Sequence, residues 1–318
     1  MIITVTLNPA IDQTLTVNKF VAGDTIRVRS SRFDPGGKGI NVSRVIRELG
    51  GESTAMGFAP GGLGRYIEQT LDNEGIDTDF VHTRGETRTN ITIVDESRHM
   101  QTILSDPGPS TSHEAVASLK RRLQRRLHQG DWLVLAGSIP PPLSPELYAQ
   151  LIQEAKEIGA HTVLDADGAA LQAGVEATPE IVKGNRRELE RLTGRELDDE
   201  ASTLEAARQV HKAGVPIVVA TRGREGAVAV YHTKKYRGIA PRVRAVSAIG
   251  SGDAFLAGVI LTLSQDGSIE EALRLGIASG TAAVLTLGTE PCRRREVDIL
   301  LPRVKVQPIT AEKAASRA

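Results

Sequence analysis

The 318-residue chain is poor in aromatic rings: Phe, Trp and Tyr make up 3% of it. Surfaces that bind single-stranded nucleic acid are built from exposed rings on which bases stack, so that class of function is disfavoured. Neither sign of charge is in excess, because Lys+Arg and Asp+Glu both number 39. No global field therefore steers the chain to DNA or to an anionic membrane. Its one cysteine, Cys292, forbids an internal disulfide and suits a reducing, cytoplasmic setting. The opening MIITVTLNPAID has neither the basic start nor the apolar run of a secretory leader, and no stretch reaches the length of a membrane span. Internal repeats and low-complexity linkers are missing too, which favours a single domain over residues 1–318.

What is present is an ordinary globular composition, 40% hydrophobic and 25% charged, in a chain long enough to bury a large core. Ile2–Thr6 is a β-branched run that predicts a buried strand. Leu15–Arg32 and Thr89–Leu104 alternate polar and apolar residues, the latter around a polar turn at Asp95–Arg98, and predict hairpins with one exposed face. Gly39–Leu49 reads as a helix closed by Gly50-Gly51. From Ser112 onward helical patterns alternate with short apolar runs: Trp132–Ala136, His161–Asp165, Ile181-Val182 and Pro216–Thr221. That rhythm implies βαβ crossovers and a doubly wound α/β fold with a mostly parallel sheet. The hairpins, at about residues 12–33 and 87–105, are expected to form a small β lid over the carboxyl edge of that sheet, where ligands bind in open α/β folds. The basic run Lys120–Arg126, with Leu119, Leu123 and Leu127 at a spacing of four, reads as a solvated helix face with a leucine stripe inward. The end from about 306 to 318 is expected to fray, Thr310–Ala318 being small and polar.

Four glycine-containing segments carry chemistry. In Ala248–Gly258 (AIGSGDAFLAG), Gly250, Ser251 and Gly252 open an apolar helix with Asp253 in its first turn. Backbone N–H groups and the helix dipole there make an anion hole, and an adjacent carboxylate suits proton removal during phosphoryl transfer. Taken alone, the same residues fit equally well an acid that merely stabilises its helix. Asp34–Arg44 (DPGGKGINVSR) is a glycine-rich helix entry that is neither a Walker A loop nor GxGxxG. It brings the cation of Lys38 and the amide of Asn41, suited to hydroxyls and phosphate, although a plain tight turn would look similar. In Lys183–Leu189 (KGNRREL), Asn185 and Glu188 share a helix face and could hold a hydrated Mg²⁺ through water, or could simply cap the helix. Thr221–Ala227 (TRGREGA) could shape a nucleotide pocket or only turn the chain.

In their order along the chain, TLNPAID, GGKGINVSR, TRTN (Thr87–Asn90), AGSIPP (Ala136–Pro141), KGNRREL and GSGDAF resemble the ribokinase-like PfkB sugar kinases. The phosphofructokinase and tagatose-phosphate kinase branch is the most similar. The resemblance implies a β-lid kinase using ATP and Mg²⁺ and often dimeric through its lid, with K⁺ as a further cofactor. By it, Asp253 is the catalytic base and Gly250, Ser251 and Gly252 supply the anion hole. Asp12, Gly37, Lys38 and Asn41 hold the sugar, Arg88 grips a phosphate already on it, and Ser138 approaches it. Lys183, Asn185, Glu188, Thr221, Gly223 and Gly226 line the ATP and Mg²⁺ side. The backbone carbonyls of Ser247, Ile249, Ala283 and Gly288 resemble a monovalent cation site.

This chain departs from the family pattern with Ser251 for alanine, Gly184 for proline, Thr221 for serine, and a bulky Arg222. Gly184 would loosen its loop. By resemblance, Lys38 and TLNPAID point to a kinase of fructose 1-phosphate or tagatose 6-phosphate, while LGTEPC near the end leans to the 6-phosphofructokinase type. The expectation is phosphorylation of fructose 1-phosphate to fructose 1,6-bisphosphate. The rival of another class, a non-catalytic nucleotide or sugar-phosphate sensor on the same fold, has no use for an acid beside an anion hole.

Overall fold

A computed structural model describes residues 1–98 and 100–309. The apolar runs become the middle of one large sheet: β1 (Ile2–Thr6), β8 (Trp132–Ala136), β9 (His161–Asp165), β10 (Ile181–Asn185) and β11 (Ile217–Thr221). With β4 (Thr54–Pro60) and β5 (Asp77–Thr83) these strands are parallel, in the order β11-β10-β9-β8-β1-β4-β5. Every residue of β1, β4 and β8 is buried, as a sheet covered on both faces requires. Three antiparallel strands extend the edge: β12 (Ala227–Tyr231), β13 (Lys234–Ile239) and β14 (Lys305–Pro308). The end of the chain therefore does not fray from 306 as expected, since residues 305–308 pair with β13; residues 310–318 lie outside the described residues.

Helices cover both faces, so the doubly wound expectation holds. One face buries α3 (His113–Arg126), α4 (Leu147–Ile158), α5 (Gly168–Glu176), α6 (Arg186–Thr193) and α7 (Glu200–Lys212). The other buries α1 (Lys38–Glu48), α8 (Ser251–Leu263), α9 (Ile269–Ala283) and α10 (Arg294–Leu300). Helix α2 (Gly61–Asn73) packs with α1 and the root of the lid. The leucine stripe of the basic run is the inner face of α3, and Arg122 and Arg126 pair with Asp79 and Asp77 at the start of β5. Among the described residues no helix is long and apolar enough to cross a membrane.

The lid is a separate four-stranded sheet in the order β3-β2-β6-β7, from β2 (Ala10–Val17), β3 (Val28–Gly36), β6 (Arg88–Asp95) and β7 (Met100–Leu104). Strand β2 leaves the carboxyl end of β1 after three residues, which fixes the lid above that edge. Arg32 reaches Glu290 at 2.6 Å, and the Gln101 amide donates to the Val246 carbonyl at 3.2 Å, so the lid is tied to the body on both sides.

The entry of α1 is held against β1 more closely than any side chain would permit. A Cβ on Gly39 would lie 2.6 Å from Thr6 Oγ1 and 2.8 Å from the Val5 carbonyl oxygen. Thr6 Oγ1 in turn accepts the Ile40 N–H at 2.9 Å. Gly39→Ala must push the helix off the strand at a cost of about 1–3 kcal/mol. The expected result is a melting midpoint lowered by several degrees, read by circular dichroism, with activity falling further than folded fraction because Lys38 and Asn41 move with the helix.

Candidate active site

Strand ends, the lid roots and two helix entries enclose a cleft of about 1260 Å³ at the carboxyl edge. It brings together Asp12, Gly37, Lys38, Asn41, Arg88, Ser138, Lys183, Asn185, Glu188, Thr221, Gly223 and Gly250–Asp253. Gly226, Ser247 and Ala283 do not line it, while Ile249 and Gly288 do.

Gly250 adopts φ 75° at the N-cap of α8, and no side chain caps that helix. Its first-turn amides thus face the cleft without a protein acceptor from a side chain, which is the condition for binding an anion. Ser251 Oγ donates backward to the Ala248 carbonyl at 2.8 Å, so its hydroxyl is turned onto its own loop. Asp253 is buried, and its Oδ2 accepts from Asn41 Nδ2 at 2.8 Å. Burial, and then the charge of Asp165, push its carboxyl from 3.8 up to about 6, against the pull of Lys38 and Lys183.

Asp165, at the last position of β9, was not read as a site residue from sequence. It is fully buried and takes Lys38 Nζ on one oxygen at 2.6 Å and Lys183 Nζ on the other at 2.8 Å. Lys38 also reaches Glu188 at 3.2 Å. Burial alone would lower the Lys38 pKa, but the carboxylates of Asp165, Glu188 and Asp253 raise it overall. Lys183 runs under the glycines: a Cβ on Gly252 would sit 2.9 Å from its Nζ. The available signal for Asp165 was an acid closing an apolar strand, at the edge where such sheets bind ligands.

A second polar cluster forms where the lid meets β1. Arg88 donates to the Asp106 carbonyl at 2.7 Å and the Asn8 carbonyl at 3.0 Å, and its buried Nε has no partner. Asn8 Nδ2 donates to Ser138 Oγ at 3.1 Å, which sets that hydroxyl beside the guanidinium. Beside it Asp12 accepts from Asn90 Nδ2 at 2.9 Å, and burial raises the Asp12 pKa. Gly36 is required here, since a Cβ would fall 2.3 Å from Asp12 Oδ2. Asn8 and Asn90 lie inside motifs quoted from the sequence, yet their hydrogen-bonding partners come from far along the chain and gave no local sign.

At the far end Asn185 caps α6 and forms a capping box with Glu188, whose Oε2 accepts the Asn185 N–H at 2.7 Å. Both oxygens of Glu188 thus already hold a donor. Gly184 lies within the β10 ladder opposite Ala220, so the looser loop expected there is not found. Arg222 lines the cleft, and its guanidinium pairs with Glu200 and Glu225. Thr221 ends β11, and a one-turn helix from Gly223 leads to Gly226, whose φ is 102°. Of the carbonyls expected around a monovalent cation, that of Ala283 already accepts the Thr286 N–H at 3.2 Å and hydroxyl at 2.9 Å, a poor fit to that role.

A carboxyl that titrates near 6 in the fold and at 3.8 in the open chain weakens folding when ionised. That cost is absent below the lower value and complete above the higher one. Asp253→Asn should therefore melt above the parent at pH 7, and the gain should vanish below about pH 4; thermal melts across that range check it.

Residues 5–295 match the family described as pfkB family carbohydrate kinase. The chain is 34% identical to the 1-phosphofructokinase of Bacillus subtilis over 96% of its own length and 99% of that protein. It is 31% identical to a tagatose-6-phosphate kinase of Staphylococcus epidermidis, covering 96% and 99%. The crystal structure of phosphofructokinase-2 from Escherichia coli in complex with potassium superposes with a TM-score of 0.90 at 31% identity, covering 95% of this chain and 98% of that one. With its lid, its glycine-bounded cleft and these relatives, the chain belongs to the pfkB family of carbohydrate kinases and is an ATP-dependent sugar-phosphate kinase of the 1-phosphofructokinase and tagatose-6-phosphate kinase type.

Proposed function

We propose that the protein phosphorylates D-fructose 1-phosphate to fructose 1,6-bisphosphate. The observation that carries this reading is that one cleft has two separate anion-suited places: the uncapped turn at Gly250–Gly252, and Arg88 with an unpartnered buried Nε beside Ser138. The first suits the phosphoryl group in transfer, the second a phosphate the sugar already carries. An acceptor without phosphate would leave Arg88 a buried cation facing a neutral ligand, which is costly. Lys38 in GGKG and the 34% identity to a 1-phosphofructokinase favour fructose 1-phosphate over the 6-phosphates.

In this reading Asp253 accepts the proton of the attacking hydroxyl, and its raised pKa makes it a better base than a solvated carboxylate. Asn41 holds that carboxylate in place, while Asp12, with Gly37 and the Asn90 amide, positions the sugar hydroxyls. The amides of Ser251 and Gly252, with the Lys183 ammonium beneath, offset charge on the transferring group. Asn185 and Glu188 would hold Mg²⁺ through water, and that ion would neutralise the donor's β- and γ-phosphates. Thr221 and Gly223 would line the nucleotide. The lid covers the acceptor and excludes water, which limits wasteful hydrolysis.

Val28, Phe33, Met100 and Leu104 of the lid are about half exposed, an apolar surface that favours a homodimer through the lid. Phe33→Asp should then yield monomers by light scattering, whereas an unchanged mass would remove the lid as the interface.

Coupled ADP release with fructose 1-phosphate, fructose 6-phosphate and tagatose 6-phosphate in parallel tests the substrate. The highest kcat/KM should go to fructose 1-phosphate, and a ten-fold preference for either other sugar would overturn that choice. Asp253→Asn should lose about 10²–10⁴-fold in kcat with substrate binding kept. Arg88→Ala should raise KM for the sugar phosphate and leave nucleotide affinity, measured by calorimetry, within a few-fold.

A further inference from the structure

Asp253 lies close enough to two lysines for both to act on its titration, yet among the described residues it makes no ion pair. A buried carboxylate beside buried ammonium groups ordinarily pairs with one of them. Here both are taken. Asp165 engages Lys38 with Oδ1 and Lys183 with Oδ2, and Glu188 holds Lys38 from the other side. The three anchors belong to different elements: Lys38 opens α1, Asp165 ends β9 and Lys183 lies in β10. The two ammonium groups are thereby fixed on the floor of the cleft, Lys183 directly under Gly252.

We propose that Asp165 is a positioning residue that holds Lys38 and Lys183 under the anion hole and keeps both from pairing with Asp253. The consequence is a division of labour among buried charges. The ammonium groups stay available to the phosphoryl group, and the Asp253 carboxylate, held only by the Asn41 amide, stays available to a proton. The groups that face Asp253 are Lys38 and Asn41 from α1, Asp165 from β9 and Lys183 from β10, with Glu188 of α6 acting through Lys38. The raised titration of Asp253, to which Asp165 contributes directly after burial, agrees with this geometry.

The proposal rests on Asp253 being the base, so its test includes a readout that does not depend on turnover. Carboxyl ¹³C NMR, with the Asp253 signal assigned by its loss in Asp253→Asn, follows that group in the whole protein. In Asp165→Asn the freed lysines should pair with Asp253 and move its titration down by about one unit or more, the usual effect of an opposite charge at contact. The acid limb of kcat against pH should move with it, and the plateau of kcat should fall on the order of 10²-fold. Asp165→Glu, which keeps the charge, should retain the limb and most of the rate. A folded Asp165→Asn whose Asp253 titration does not move overturns the proposal. A shifted NMR titration without any acid limb in the rate profile would instead refute Asp253 as base and leave the role of Asp165 standing. Should Asp165→Asn fail to fold, Lys183→Gln tests the same network in the opposite sense. Removing that ammonium must move the Asp253 titration upward, and an unmoved value overturns the proposal equally.

Discussion

Buried charge at the carboxyl edge of the sheet is the constraint on which the site depends. Buried Asp165, Asp253, Glu188 and Lys183 gather there around Lys38, whose side chain is partly exposed to the cleft. In such surroundings an unpaired charge is expensive, so each group's freedom is decided by who else has claimed its neighbours. The sheet makes the gathering possible. Parallel strands end at one edge, so residues distant in sequence arrive side by side without any loop having to carry them there.

The lid and the glycines serve that edge. Strand β2 continues almost directly from β1, and β6 follows closely on β5 and α2, so both halves of the lid are rooted in the sheet they cover. Gly36, Gly39 and Gly252 remove side chains where a carboxylate, a strand and an ammonium group must come close to the backbone. Their role is one of approach: each permits a separation that a single methyl group would forbid.

Much of this was legible from the sequence because it follows from local pattern. The strands at 2–6, 132–136 and 161–165 were given by short β-branched or apolar runs, and the lid hairpins by alternation. Strands β4, β5, β12 and β13 were not singled out, since their apolar residues are diluted by polar and small ones and their burial comes from neighbours in the sheet. The glycine turns marked the site, and an ordered set of modest motifs gave more than any one of them. Asp165 escaped because an acid at the end of a strand looks like any turn residue until two lysines, from 127 and 18 positions away, are seen on it. Gly184 misled for the complementary reason: glycine suggests a loose loop, but ladder pairing with β11 removes that freedom.

The uncapped end of α8 has a further meaning. Five of the ten described α-helices finish their first turn with a serine, aspartate or asparagine of their own, as α3, α5, α6, α7 and α9 do. Helix α8, buried over most of its length, is among those that begin without one. If the proposed phosphate site is right, the substrate does more than occupy it. An arriving phosphate would supply the side-chain cap that α8 lacks, so the same contact that binds the ligand would also finish the helix.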